Sequence, residues 1–331
     1  MSDSPQVIAE VRARFMAALR ATFSEREPRG LYAPIDYILD LGGKRIRPVV
    51  ALLAARMFGD GEDHVQGMPV ALAVEVFHNF TLLHDDIMDE SPLRRGQQTV
   101  HEKWDVNTGI LSGDLMLIQA YEHLCRCPNV AAIPSLLRTF NRVATGVCEG
   151  QQYDVDFESR QDVTIPEYLK MIELKTAVLL GGALEMGALA AGASQEDADH
   201  LYAFGRLTGL AFQMQDDLLD TFGDSANTGK LKGNDIIRNK KTFLFLKAME
   251  LLDEPGREEL QQWFATSPAD PTEKVAQVTA LMTSVGIPKA VADLRDKFQE
   301  EAYEHLEAAG GSNEMKVVLR VLAEGLLERI S

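Results

Sequence analysis

Cysteine is scarce in this chain of 331 residues: there are three, at positions 125, 127 and 148. So few exclude a disulfide scaffold and indicate a reducing compartment. Cys125 and Cys127 lack zinc-ligand spacing, and all three read as small buried hydrophobes. Cations are short as well, with 33 Lys and Arg against 50 Asp and Glu, a net charge of −17. Binding a nucleic-acid backbone needs a positive surface, so that class is excluded. No apolar run reaches the roughly 20 residues that span a bilayer. The longest, Ala177 to Ala193, holds Glu185 and four glycines and reads as a buried helix. Met1 to Pro5 is polar and no hydrophobic segment follows, so a secretory signal is not expected.

What remains is a chain of 46% hydrophobic residues, enough for a real core. Alternating β-branched segments are nearly absent, no proline occurs between Pro166 and Pro255, and Ala, Leu, Glu, Gln and Met dominate. These features predict an all-α fold. Thr164-Ile165-Pro166-Glu167 has capping-box spacing and predicts a helix running to about Ala191. Breaks are expected at 26–31, 58–67, 91–98, 153–164, 222–234, 252–256 and 265–272. With no flexible linker and no repeat, one domain over residues 1–331 is expected.

Two carboxylate triplets stand out, Asp85-Asp86-x-x-Asp89 and Asp216-Asp217-x-x-Asp220. On a helix the first set falls at about 0°, 100° and 40°, within one narrow arc, and the second repeats it. No cation lies three or four residues away to form a surface ion-pair ladder. Clustered like charges need solvent or a bound cation, and carboxylates completed by water and phosphate suit Mg²⁺. A solvated helix face also produces one such triplet; two on apolar helices point to a paired metal site. His78 and Gln213 share the faces of their triplets, at about 20° and 60°.

The scarce cations are clustered. Lys44, Arg45 and Arg47 follow a glycine turn at Gly42-Gly43, and Arg94-Arg95-Gly96 follows the first triplet. Lys230, Lys232, Lys240 and Lys241 follow the second, and Lys175-Thr176 lies inside the apolar segment that starts at Thr164. Arg grips phosphate bidentately and Lys adds a compact charge. Basic groups beside both acidic motifs suit phosphorylated ligands that arrive bridged by Mg²⁺, and two basic sets suggest two such ligands.

Taken in order, GGKRIRP (42–48), HNFTLLHDDIMD (78–89), RRG (94–96), GQQYD (150–154), KT (175–176), FQMQDDLLD (212–220), GK (229–230) and DIIRNKKT (235–242) resemble the trans-isoprenyl diphosphate synthases, or polyprenyl synthetases. The resemblance implies a helical bundle of the isoprenoid synthase type around a deep central cavity, working as a homodimer; the cysteine usage adds a cytoplasmic location. It implies that Asp85, Asp86, Asp89, Asp216, Asp217 and Asp220 hold three Mg²⁺ around an allylic diphosphate. Arg94, Lys175, Lys230 and Lys240 would contact that diphosphate, with Gln151 and Asp154 nearby. Lys44, Arg47, His78 and Arg95 would bind isopentenyl diphosphate, and Thr176 and Gln213 would lie beside the reacting carbons. Asn239-Lys240-Lys241 stands where the family often has Gly-Lys-Pro, which makes Lys240 the least secure of these placements. The implied reaction is ionisation of the allylic substrate, attack by the double bond of isopentenyl diphosphate and loss of a proton to the released diphosphate.

Product length is implied by bulk before the first triplet: Phe80 five residues ahead of Asp85, Thr81 four ahead, Phe77 one turn deeper. One bulky and one small side chain favour a C15 or C20 product, and the lack of a two-residue insertion in the first motif tips this to C20. Three rivals are weighed. An HD-type phosphohydrolase would use His84-Asp85 with His78 but has no need of the second triplet. A class I terpene cyclase would need no second diphosphate site. A non-catalytic partner subunit would be expected to have lost aspartates, and none is missing.

Overall fold

The computed structural model describes residues 4–23, 26–59, 65–223 and 233–328, and its chain clusters into two compact units. The first comprises residues 1–141, 182–202 and 308–321; the second comprises 142–181, 203–307 and 322–331. Both are helical.

In the first unit, α1 (Ser4–Ala21) buries Val7, Val11, Phe15 and Leu19, one residue per turn, as expected of an amphipathic helix. α2 (Arg29–Asp40) leads through Gly42-Gly43 into α3 (Ile46–Phe58), which buries every residue from Pro48 to Ala55 and is therefore a central helix. α4 (Met68–Met88) carries the first triplet in its last turn and at its C-cap. A two-stranded hairpin follows, β1 (Leu93–Arg94) paired with β2 (Gln97–Gln98), then α5 (Val100–Lys103) and α6 (Val106–Cys125). The hairpin is the one place where the expected break at 91–98 takes regular form.

The second unit begins within α7 (Ile133–Ser159). α8 (Ile165–Ile172) starts with the predicted capping box. Thr164 Oγ1 accepts from Glu167 N at 3.4 Å, and Glu167 Oε2 accepts from Thr164 N at 2.9 Å. The run then passes through a π-helical turn, Glu173–Ala177, into α9 (Val178–Ala190). The helix predicted to reach about Ala191 thus exists, with one irregular turn inside it. Two glycines make room for that turn: a Cβ on Gly150 of α7 would lie 2.3 Å from Lys175 N. One on Gly209 of α10 (Gln195–Phe222) would lie 2.7 Å from the Ala177 Cα. After α11 (Asn234–Ile237) come α12 (Phe243–Leu251), α13 (Glu254–Phe264), α14 (Thr272–Ser284), α15 (Ile287–Ala308) and α16 (Asn313–Leu327). Tyr168, Met171, Met214, Phe243, Leu260 and Met282 belong to one apolar core in this unit.

Two expectations need correction. The break at 153–164 begins only after Ser159, because Phe157 is buried and α7 continues through it. Of the cysteines only Cys127 is buried; Cys125 and Cys148 are exposed. Among the described residues no single helix is long and apolar enough to cross a membrane, although the bent pair α14 and α15 passes on length and composition together.

Candidate active site

Each triplet sits at the C-terminal end of a long helix, where the helix dipole disfavours added negative charge and favours cations. In the first, Asp85 is half-buried, Asp89 exposed, and Asp86 buried. Asp86 receives both arms of Arg94: Nε donates to Oδ2 at 2.7 Å and Nη2 to Oδ1 at 2.8 Å. Burial raises the Asp86 carboxyl above its ordinary range, while Arg94 pulls it back. The three carboxylates therefore do not act as one set: the middle one is turned inward and its charge matched.

Arg94 is placed for this by the hairpin, whose turn residues Arg95 and Gly96 both have positive φ. Tyr37 braces it by donating its hydroxyl to the Gln98 carbonyl at 2.7 Å. Arg95 lies over the glycine turn and donates to the Gly42 carbonyl. A Cβ on Gly43 would come within 2.8 Å of the Arg95 guanidinium carbon and would push that side chain aside, and the φ of 120° itself calls for glycine. Arg47 Nη1 lies 3.2 Å from His78 Nε2. Burial, then the charges of Arg47, Arg95, Arg94 and Arg45, push the His78 imidazole well below its usual range. A neutral ring can accept from Arg47, leaving a cation-rich surface suited to an anion. Lys44 is exposed on the same turn.

Arg45, between the two expected binders, is instead 5% exposed and left-handed at φ 53°. It donates to Glu75 Oε1 and to the Leu39 carbonyl, and Asn79 Nδ2 donates to the same Glu75 oxygen at 2.8 Å. This buried network anchors the turn that presents Lys44 and Arg47. Sequence reasoning missed it; Glu75 inside the apolar segment of α4 was the available signal. Of the expected chain-length residues, Phe77 is fully buried and packs edge-on against Phe140, with ring centroids 5.1 Å apart. Phe80 is half-buried with its ring against His84, and the Thr81 hydroxyl donates to its own helix at the His78 carbonyl.

In the second unit the inward turn of the middle aspartate recurs with different partners. Asp217 is 4% exposed; Tyr168 donates its hydroxyl to Oδ2 at 2.5 Å and Gln213 Nε2 donates to Oδ1 at 2.9 Å. Burial and the nearby Asp235 charge push its carboxyl up to about 8 against those two hydrogen bonds. Tyr168, 49 residues upstream, gave no signal in the sequence. Asp216 and Asp220 are half-buried, and Asp220 Oδ2 accepts from Asp235 N at 2.9 Å. Lys175 donates to Asp154 Oδ2 at 2.5 Å, so the expected neighbours Lys175 and Asp154 are brought together, with Thr176 half-buried in the same π turn. Gln151 is half-buried one turn before Asp154 on α7, and Lys240 is exposed. Lys230 lies outside the described residues.

Asp85 with Asp89, and Asp216 with Asp220, are pairs one helical turn apart. Among the described residues no three His, Cys, Asp or Glu side chains converge into a closed metal cage. Sparse hard oxygen donors of this kind fit Mg²⁺, which keeps waters and takes its remaining ligands from phosphate.

Known proteins agree on where this chain falls. The family model described as polyprenyl synthetase matches residues 28–282. The geranylgeranyl diphosphate synthase of Methanosarcina mazei is 38% identical over 309 residues, 92% of each chain. The geranylfarnesyl diphosphate synthase of Natronomonas pharaonis is 40% identical over 73% of this chain and 76% of its own. A crystal structure of a geranylgeranyl pyrophosphate synthase superposes with a TM-score of 0.92 at 46% identity, covering 98% of this chain and 99% of the other. The corresponding enzyme from Pyrococcus horikoshii gives 0.89 at 32%, covering 98% of each.

Proposed function

The chain belongs to the polyprenyl synthetase family and is a prenyltransferase that elongates prenyl diphosphates; from that premise we propose that it joins isopentenyl diphosphate to dimethylallyl, geranyl and farnesyl diphosphate and stops at geranylgeranyl diphosphate. Family membership displaces the phosphohydrolase and cyclase readings. The complete set of six aspartates favours a catalytic chain over a non-catalytic subunit. The family model runs across residues of both compact units, which supports reading them as one functional domain.

The observation that carries the reading is the anion cradle in the first unit, where Arg47, His78 and Arg95 gather around the glycine turn, with Asp86 of the first triplet close enough to act on Arg95. We assign isopentenyl diphosphate to Lys44, Arg47, His78 and Arg95. The allylic diphosphate goes to Arg94, Lys175, Lys230 and Lys240, with Gln151 and Asp154 beside them. Asp85, Asp89, Asp216 and Asp220 are the direct candidates for three Mg²⁺, while Asp86 and Asp217 act from behind through Arg94, Tyr168 and Gln213. Bound Mg²⁺ supplies charge neutralisation of the leaving diphosphate.

The chain's own part is to hold and to shield. Arginine and lysine side chains stabilise charge that grows on the departing oxygen. Apolar walls keep water from the allylic cation. Thr176 and Gln213 flank the reacting carbons, where their dipoles can face positive charge. The double bond of isopentenyl diphosphate attacks, and the released diphosphate takes the proton, so no protein nucleophile is required. Phe80 limits the tail, and Phe77 backs it from the core.

We also propose a homodimer in the cytoplasm. Leu111 and Ile118 on α6 are 60% and 56% exposed, with Val106 and Ile110 beside them, an apolar face suited to a second copy. Three unpaired thiols support a reducing compartment.

The test is incubation of purified chain with Mg²⁺, labelled isopentenyl diphosphate and C5, C10 or C15 primers, followed by chromatography of the dephosphorylated products. C20 is expected as the end product from all three, and accumulation of C15 alone overturns the assignment. Phe80→Ala is expected to shift the main product up by one or two C5 units; an unchanged distribution removes Phe80 from the length gate.

A further inference from the structure

The sequence departs from its family where Gly-Lys-Pro is usual and this chain has Asn239-Lys240-Lys241. Glycine there would supply a left-handed residue and proline a rigid flank. Asn239 does take the left-handed conformation, with φ of 57°. It sits just past the end of α11, where Asn239 N donates to the Ile236 carbonyl at 3.1 Å and Lys240 N to the Asp235 carbonyl at 2.9 Å. Those two bonds make a Schellman end, whose penultimate residue must be left-handed. Asparagine is the usual substitute for glycine at such a position, but it carries a polar side chain that needs a partner.

That partner is unusual. Lys274 on α14 is 0% exposed, and its ammonium donates to Asn239 Oδ1 and to the Thr266 carbonyl, the latter at 2.7 Å. The ring of Phe264 lies 5.6 Å away. No carboxylate pairs with this lysine among the described residues, and burial lowers its basicity. A buried cation held by two neutral oxygens and no counter-charge is costly, and the two hydrogen bonds offset that cost only in part. On the other flank, Lys241 donates to the carbonyls of Phe157 at 3.0 Å and Glu158 at 3.4 Å, in the last turn of α7. Lysine is favoured there by the exposed carbonyls of a helix end. Lys240 itself is exposed between these two anchored neighbours.

We infer that Lys274, through Asn239, is a positioning residue for Lys240, and that with Lys241 it replaces the conformational constraint of Gly-Lys-Pro at an allylic diphosphate site. The inference rests on the proposed contact between Lys240 and that diphosphate. Asp220 ties the arrangement to the second triplet, since it accepts from Asp235 N at the start of α11, while Asn239 sits just past the end of that helix.

Steady-state kinetics with each diphosphate varied separately tests this. Lys274→Met keeps the buried stem and removes both hydrogen bonds. It is expected to raise KM for the allylic substrate about tenfold, with KM for isopentenyl diphosphate within about twofold. Asn239→Gly in the Lys274→Met background should recover most of that loss, because glycine holds the left-handed turn unaided. Lys240→Ala should raise the allylic KM by itself, and Lys274→Met should add little to it. If Lys240→Ala leaves that KM unchanged, the assignment of Lys240 fails. If Lys240→Ala has its effect but Lys274→Met has none, adds fully to it, or weakens both substrates alike, the positioning role fails. Should Lys274→Met not fold, Asn239→Ala removes the link together with a residue that tolerates the left-handed turn, whereas Asn239→Gly removes the link and keeps the turn, and both retain the Lys274–Thr266 bond. A selective rise in the allylic KM for Asn239→Ala with little change for Asn239→Gly supports the role, and any other pattern overturns it.

Discussion

The two aspartate motifs look alike in the sequence and dispose of their buried charge in opposite ways. Asp86 meets a guanidinium, with both its oxygens bonded to Arg94. Asp217 meets only neutral donors among the described residues, Tyr168 and Gln213; burial and the nearby Asp235 charge push its carboxyl up to about 8 against those two hydrogen bonds. One is matched by an ion pair; the other is held by neutral donors and takes up a proton more readily than an ordinary aspartate. The first arrangement is fixed by a short hairpin eight residues away; the second depends on a tyrosine from a different helix. A shared D-D-x-x-D string therefore specifies where carboxylates stand and leaves open what each one is bonded to.

The comparison breaks most visibly at the outer positions. Asp85→Ala and Asp216→Ala are each expected to lower turnover by about 10³-fold, the scale for removing a group that stabilises developing charge. Incorporation of labelled isopentenyl diphosphate measures it, and full activity in either variant would sink the metal assignment.

Removing the inward partners should separate the motifs in stability. Arg94→Met strands a buried carboxylate and is expected to cost about 3 kcal/mol, near the low end for a broken buried pair because Arg94 is partly exposed. Tyr168→Phe is expected to cost about 1–2 kcal/mol, since it removes one hydrogen bond and leaves that from Gln213 on the other oxygen. Urea unfolding without ligands gives both numbers; equal costs would show that the two motifs handle charge in the same way.

The smallest effect concerns His78. Its basicity is lowered in the folded state, so the unfolded chain binds the proton more readily and stability falls as pH drops below about 6.5. The stability advantage of the native protein over His78→Gln should therefore shrink between pH 7.5 and 5.5, by about 1 kcal/mol or less because part of the ring reaches solvent. A gap that widens on acidification contradicts a neutral His78 set among Arg45, Arg47, Arg94 and Arg95.

Much of this was legible in the sequence. Helices, the capping box at Thr164 and the basic turns follow from local spacing, and so did the two triplets. What spacing could not show were the bonds made at a distance: Arg45 beneath the glycine turn, Tyr168 on Asp217, and the burial of Phe77 against Phe140. Helical phase put three carboxylates on one arc, yet each middle one faces inward, because an arc of 100° is wide enough to span core and solvent. The π turn was equally invisible, since its residues are ordinary helix formers and the glycines that admit it lie on other helices.

That turn behaves as a gear of one tooth. Upstream, Tyr168 is committed to Asp217; within the turn itself, Lys175 is committed to Asp154. An ordinary helix has a single phase and advances about 100° with each residue, whereas a π turn absorbs one more residue before the phase resumes. The extra residue lets both commitments be met on one continuous rod. Written as text it is a single column in an alignment, silent in composition and hydropathy. In space it decides which way a lysine aims.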